Sequence, residues 1–328
     1  MAALEQSPPP LVESMDDARV QAFRNLKDAR AECREGLLIC EGPEAIRLML
    51  KQKAECDHLV RVRTLLLKPS AHAALVEDIA ACPQLGSLQV LLMADKLMAD
   101  LVGFSSCRGY LATAEIPEPR SLDWLAQRLE GKSRWRLLAV DGSNSTSNLG
   151  SMIRSASCFG CDGIILSHDC CDVWYRQCIR VSMGHCFRLP IVRADKPTEA
   201  GGAVAGMEKT QQQQQEVPVG AVEGCERDSG LGDALSRLHA SHGVQSFAAV
   251  IDKSATLLKH LPPGSSPLRW CVVLGNEHSG VSLVARGACQ RLRIDMEADV
   301  DSLSINNANA IMLNGLRERE PDDNDERS

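Results

Sequence analysis

Apolar and polar positions along this chain fall into two alternating kinds of block. Short apolar runs, "GLLICEG", "HLVRVRTLLL", "SLQVLLM" and "GYLATAEI", read as strands. Between them, "PEAIRLMLKQ", "SAHAALVEDIAA" and "ADKLMADLVG" place apolar residues at helical spacing. Pro43 stands in the first turn of the first of these, where no amide hydrogen is needed. "DARVQAFRNLKDARAE" also has helical spacing and predicts a helix over 17–32. A connection over 117–134 contains prolines and one helix.

A second alternating set follows. Strand "WRLLAVD" leads to a helix over Asn148–Phe159, strand "GIILS" to helix "DVWYRQCIRVSMG", and then to strand "CFRLPIVR". The Gly- and Gln-rich stretch 194–230 breaks the pattern and is expected to be a disordered surface insertion. Alternation resumes with helix "LGDALSRLHASH", strands "QSFAAVID" and "RWCVVLG", helix "VSLVARGAC", strand "QRLRID" and helix "LSINNANAIMLNGL". The expected class is therefore α/β, with domains over 17–116 and 135–317. Residues 1–16 and 318–328 read as a disordered and a charged tail, and 117–134 as a linker.

Composition refines this picture. Of the 328 residues 44% are hydrophobic, enough for real cores, but only 3% are aromatic, so aliphatic and sulfur side chains must fill them. The net charge of -7 gives no vote for nucleic acid, although a local basic face can sit on an acidic protein. Arg19, Arg24, Lys27, Arg30 and Arg34 share the first predicted helix with Asp28, Glu32 and Glu35. A solvated face and an RNA-gripping face fit them equally.

The 14 cysteines follow no signal-type apolar segment, so reduced thiols and an intracellular, cytoplasmic protein are expected, an organelle being left open. No apolar stretch has the length to cross a membrane, and no membrane partner is expected. Cys158 and Cys161, with His168 and Cys171, are the sharpest metal candidates. Their spacing suits core packing better, so no metal is expected.

Polar clusters "DGSNSTSN", "GNEHSG" and "DMEADVDS" fall at predicted carboxyl ends of second-domain strands, the edge where open α/β sheets bind ligands. The glycine fingerprint for dinucleotides, the phosphate loop of nucleoside triphosphatases, the zinc-protease helix and the serine-hydrolase elbow are all absent. What remains, in order, is "NLGSMIR", "VLGNEHSG" and "VDSLSINNANAIML".

In these segments the chain resembles SpoU-type (TrmH-like) RNA ribose 2′-O-methyltransferases of the SPOUT superfamily. "NLGSMIRSASCFGCDGIIL" matches the first motif through Asn148, Gly150 and Arg154. "VVLGNEHSGVS" matches the second through Gly275, Glu277 and Gly280, and "DMEADVDSLSINNANAIML" the third through Ser302 and Leu303. "RVSMGHCFRLPIV" is similar to a family segment between the first two, and the N-terminal part to the family's RNA substrate-binding domain.

The resemblance implies a trefoil-knotted C-terminal domain, an exception to the rule that chains avoid knots. It also implies a smaller N-terminal α/β domain for the RNA substrate. The implied reaction is transfer of a methyl from S-adenosylmethionine to a ribose 2′-hydroxyl of tRNA or rRNA, without a metal. Gly275, Ile294 and Leu303 align with cofactor-binding positions. Arg154, Ser302, Glu277 and Asn148 align with the catalytic network, where Arg154 serves as base or as a clamp that lowers the hydroxyl's pKa. Ser302 would bond the hydroxyl or Arg154, Glu277 would orient Arg154, and Asn148 would position loop and substrate. Asn148 and Ser302 are also good helix caps, and Arg154 and Glu277 ordinary surface charges.

A homodimer through the helices at 148–159 and 303–316 is implied too, with Leu303, Ile311, Leu313, Ala308 and Ala310 as contacts or as ordinary core. Two departures stand out. Ser145 and Thr146 replace the family's Asp-Pro, and Ser304 replaces its third-motif Asn, with Asn306 and Asn307 following. They motivate an alternative reading, an RNA-binding or assembly protein on the same fold with impaired catalysis.

Overall fold

A computed structural model describes residues 8–26, 36–52, 60–104, 108–196, 229–297, 299–300 and 302–321. Of the insertion expected over 194–230, residues 197–228 lie outside the described residues, as do Lys27, Arg30, Arg34 and the outer parts of both tails. Its margins are ordered: Ala194 is buried and donates its amide to Leu166 O at 2.7 Å, Ser229 is buried, and Gly230 caps the helix that follows. The chain forms two compact units. The first holds 1–119, 145–162 and 171–191; the second holds 120–144, 163–170 and 192–328.

The first unit contains a five-stranded mixed sheet in the order β1-β4-β3-β5-β2, built from Leu11–Val12, Gln89–Met93, Val62–Leu67, Tyr110–Glu115 and Leu37–Glu41. Helices α1 (Pro43–Leu50), α2 (Pro69–Ala80) and α3 (Asp95–Val102) connect it. Its core gathers Val12, Val20, Phe23, Leu26, Leu66 and Leu91. Residues 1–16 are thus not wholly a tail: Val12 is buried, and Leu92 donates its amide to Pro10 O at 3.0 Å. Three prolines fit an edge strand, and a two-residue strand carries no periodic signal.

The helix expected over 17–32 is, in its described part, a single 3-10 segment, Ala18–Phe23. Arg24 is extended and Asn25 takes a left-handed φ of 54°, which stops the helix. Arg19 pairs with Asp17 and Arg24 with Asp16, so both cations are locally compensated.

The first unit also includes α5 (Thr146–Cys158) and α6 (Arg176–Val181). Arg176 and Arg180 bond Glu41 of β2 at 2.9 and 3.2 Å. Gln52 donates to Phe187 O at 2.7 Å while accepting from Val60 N. Gly150 lets α5 approach α6, since a Cβ there would lie 2.7 Å from Cys178 O. The division 17–116 against 135–317 therefore differs from the compact units: residues 145–162 and 171–191 pack with the N-terminal sheet. The helix expected over "DVWYRQCIRVSMG" shrinks to α6, because Asp172 caps a turn ahead of it and Met183 and Gly184 turn left-handed after it. "CFRLPIVR" becomes a 3-10 turn, His185–Phe187, before β8 (Ile191–Arg193).

The second unit holds a seven-stranded sheet, β10-β12-β9-β11-β6-β7-β8. Its strands are β6 (Trp135–Val140), β7 (Gly163–Leu166), β8, β9 (Gln245–Ala249), β10 (Thr256–Leu257), β11 (Arg269–Leu274) and β12 (Gln290–Arg293). The pairings β10–β12–β9–β11–β6–β7 are all parallel. Helices α4 (Leu122–Leu129), α7 (Leu231–His242), α8 (Leu283–Gly287) and α9 (Ile305–Arg317) complete it. The expected linker is structural, for Leu122, Leu125, Ala126 and Leu129 of α4 join the core with Trp135, Leu235 and Val273. Leu313, expected as a dimer contact or as core, is fully buried, whereas Ile311 is 42% exposed.

The charged end is fixed as far as Pro321. The side chain of Glu320 is buried and accepts from Arg136 at 2.7 Å, Arg134 at 3.1 Å and Trp270 Nε1 at 2.8 Å. Though burial opposes it, these donors hold its carboxyl below the usual 4.5. This stabilisation is present above the unfolded value and is lost as pH falls through the lowered folded one. Glu320→Ala strands two half-buried guanidinium groups, and a loss of about 3 kcal/mol is expected in urea unfolding at pH 7. The wild-type advantage should shrink below about pH 4.

Candidate active site at the carboxyl edge of the parallel sheet

Parallel strands bring their carboxyl ends to one edge, so the loops after β6, β7, β11 and β12 gather there. After β6, Gly142 turns left-handed at φ 74°. Its amide donates to Ser167 Oγ, which follows β7, at 2.8 Å. Its carbonyl accepts from Asn276 Nδ2, which follows β11, at 2.7 Å. Asp141, fully buried, accepts the amide of Ser282 at 2.7 Å. Ser143 Oγ donates to Glu277 Oε1 at 3.2 Å. The β7 and β11 loops are thus each tied directly to the β6 loop.

The loop after β11 closes on itself. Asn276 and Gly280 exchange backbone hydrogen bonds at 3.0 and 2.9 Å, and Asn276 Oδ1 accepts from the amides of His278 and Ser279. Gly275 is buried beneath this closure: a Cβ there would lie 2.0 Å from the carbonyl carbon of Gly280. Its immediate need for glycine is therefore this backbone crossing, not only a ligand's approach. Gly280 itself has a left-handed φ of 67°.

Ile294 directly follows β12 and is half-buried, as is Leu303 ahead of α9; Ser302 is exposed. Ser304, not Ser302, occupies the cap position of α9, and its side chain makes no cap bond. Gly275 and Ile294 thus follow β11 and β12, the two strands that flank β9 in the sheet, and Leu303 lies two residues ahead of α9. The two aliphatic side chains suit a flat heteroaromatic ring, and main-chain groups can supply its polar contacts.

Asn148 and Arg154 lie on α5, in the first unit. The cap of α5 is Ser145, whose hydroxyl accepts the amide of Asn148 at 3.2 Å; Asn148 is the third helical residue rather than the cap. Ser145 thus does locally what an Asp would do, and Thr146 stands where a Pro is tolerated. Leu149, Met152, Ile153 and Ala156 bury one face of α5, and Arg154 is exposed on the other. Within its unit Arg154 pairs with no carboxylate among the described residues.

Sequence reasoning missed Asp141 and Asn276, the two side chains that knit the edge together. Their signal was present: an Asp and an Asn, each within two residues after a buried strand and beside a Gly. Burial disfavours the thiolate of two cysteines of the second unit. Burial raises Cys170, and pushes Cys289 up to about 12. Among the described residues no cluster of three or more His, Cys, Asp or Glu could hold a metal, and no helix is long and apolar enough to cross a membrane.

The sequence model of the SpoU rRNA Methylase family matches residues 136–211 and 203–314, more than half of the chain. A tRNA/rRNA methyltransferase of Mycobacterium tuberculosis is 36% identical over 191 residues, 56% of this chain and 60% of that protein. The mitochondrial rRNA methyltransferase 3 of Xenopus laevis is 27% identical over 54% of this chain and 46% of its own length. The chain therefore spans less than two thirds of the curated relatives it matches. The AdoMet-bound rRNA methyltransferase from Sinorhizobium meliloti superposes with a TM-score of 0.65 at 20% identity, covering 94% of this chain and 97% of that one. The SpoU methyltransferase AviRb from Streptomyces viridochromogenes, in complex with AdoMet, gives 0.63 at 21% identity, over 92% and 97%. These two likenesses concern the fold, an α/β architecture with a parallel sheet. On the match over residues 136–314, the chain belongs to the SpoU rRNA Methylase family.

Proposed function

We propose that this protein transfers a methyl group from S-adenosylmethionine to a ribose 2′-hydroxyl of tRNA or rRNA. The observation that carries the reading is the family match across 136–314, whose second motif runs through the loop after β11 and whose third follows β12 and runs into α9. S-adenosylmethionine supplies a methyl already activated on a sulfonium, so the protein's work is alignment and proton removal. Gly275, Ile294 and Leu303 would hold the cofactor, through main-chain groups and two aliphatic contacts. The trefoil knot of the resembled fold belongs to this reading.

Arg154 carries a planar guanidinium, a two-pronged donor for phosphate oxygens. Exposed, and without a carboxylate in its own unit among the described residues, it suits a clamp on the substrate phosphate that lowers the pKa of the hydroxyl. As the resemblance implies, Ser302 would hydrogen-bond the hydroxyl or Arg154, Glu277 would orient Arg154, and Asn148 would position loop and substrate. RNA is held partly by the N-terminal unit, and a second copy of the chain completes a homodimer in which α9 offers Ile311. Light scattering is expected to give the dimer mass.

The test is direct. Purified protein is incubated with methyl-labelled cofactor and, separately, with tRNA and rRNA. Label in one RNA pool supports the reading, and none in either contradicts it. The second reading, an impaired RNA-binding protein, rests on Ser304, which replaces an amide by a shorter hydroxyl. Ser304→Asn should change the rate less than threefold if the site is competent; a gain of tenfold or more would favour impairment.

A further inference from the structure

Ser143, in the run "DGSN" after β6, has no part in the roles above. It is fully buried. Among the described residues, the one hydrogen bond of its hydroxyl goes to Glu277 Oε1, at 3.2 Å. A carboxylate only accepts, and a hydroxyl shielded from solvent must find its acceptor within the protein, so each group answers the other.

The backbone on both sides of this bond is fixed. Gly142, left-handed at φ 74°, turns the chain directly before Ser143. Its amide donates to Ser167 Oγ at 2.8 Å, and its carbonyl accepts from Asn276 Nδ2 at 2.7 Å. Asn276 directly precedes Glu277, and its own backbone is closed on Gly280. Two adjacent residues of the β11 loop thus meet two adjacent residues of the β6 loop, Asn276 on Gly142 and Glu277 on Ser143. With both backbones set, the hydroxyl acts on the side chain of Glu277, which has three rotatable bonds on an exposed residue.

We propose that Ser143 is a positioning residue for Glu277: its buried hydroxyl holds one carboxylate oxygen and so presents the carboxylate to the site in one orientation. The proposal rests on the reading of Glu277 as part of the methyl-transfer network. Removing a purely structural Ser143 would cost stability alone. Removing a positioning Ser143 also costs turnover, because the lost orientation must be regained on the way to the transition state.

A double-mutant cycle on the full chain tests it, with Ser143→Ala, Glu277→Ala and the pair. Methylation of RNA is followed in single turnovers with protein in excess, so that slow variants are still measured. Ser143→Ala should lower the rate about five- to tenfold, with the half-saturating concentration changed less than about twofold. In the Glu277→Ala background the same change should alter the rate by less than about twofold, since no carboxylate is left to orient. An unchanged rate in Ser143→Ala overturns the proposal. So does an equal loss in both backgrounds, which would make Ser143 act by another route. The melting temperatures of the four proteins form a second cycle that needs no turnover. Ser143→Ala should lower the wild-type value by about 2–4 °C and leave that of Glu277→Ala unchanged or higher. Additive losses overturn the contact. A wild type that methylates no RNA would be the failure of the methyl-transfer reading, and the proposal falls with it; an active wild type with an unmoved Ser143→Ala overturns the proposal alone.

Discussion

Arg154→Ala is expected to lower kcat/KM for RNA methylation by about 10²–10³-fold, the usual loss when a donor that stabilises developing negative charge is removed. The fold should persist. Arg154 is exposed, the buried face of α5 is carried by Leu149, Met152, Ile153 and Ala156, and no ion pair within its unit depends on it among the described residues. The melting temperature should therefore stay within about 2 °C of wild type. Cofactor binding, measured by calorimetry, should also remain, because Gly275, Ile294 and Leu303 belong to other loops. Arg154→Lys separates charge from geometry. It keeps the cation but loses the two-pronged donor, so it should recover only a small part of the rate. An Arg154→Ala protein with near-normal turnover would remove Arg154 from the reaction.

Gly275→Ala should fail differently. The added Cβ would meet backbone, 2.0 Å from the carbonyl carbon of Gly280 and 2.1 Å from the amide nitrogen of Val281. No side-chain rotation relieves that, so the Asn276–Gly280 closure must open. A loss of about 3 kcal/mol follows, which lowers the melting temperature by roughly 6–12 °C. Opening the loop also displaces Asn276 from Gly142 O and Glu277 from Ser143, so cofactor affinity should drop with stability. Gly287→Ala is the control. Gly287 lies at the end of α8 with nothing within 4 Å of a Cβ, and the change should be neutral or stabilise by about 0.5 kcal/mol.

Much of the fold was legible because the apolar periodicity is strong. Strands such as "WRLLAVD" and "RWCVVLG" are buried on both faces, as the centre of a parallel sheet requires, and their neighbours alternate at helical spacing. The ends were illegible for the opposite reason. Leu11–Val12 is too short to show a period, and Glu320 earns its place through three donors distant in sequence. The grouping of α5 and α6 with the N-terminal sheet depends on contacts such as Arg176 to Glu41, which local pattern does not encode. At the site, the order of motifs pointed to the loops, and the physical reason for individual residues came from geometry. Gly275 answers to Gly280, Ser145 rather than Asn148 caps α5, and the burial of Asp141 and the double role of Asn276 have no periodic signature.

The central claim is that the methyl goes to a ribose oxygen. It is tested most directly by digesting RNA labelled by this protein to nucleosides and resolving the products by mass. The account predicts one 2′-O-methylated nucleoside, with the label resistant to base release and lost when Arg154 is replaced by Ala. Label on a base, or label unaffected by Arg154→Ala, would contradict it.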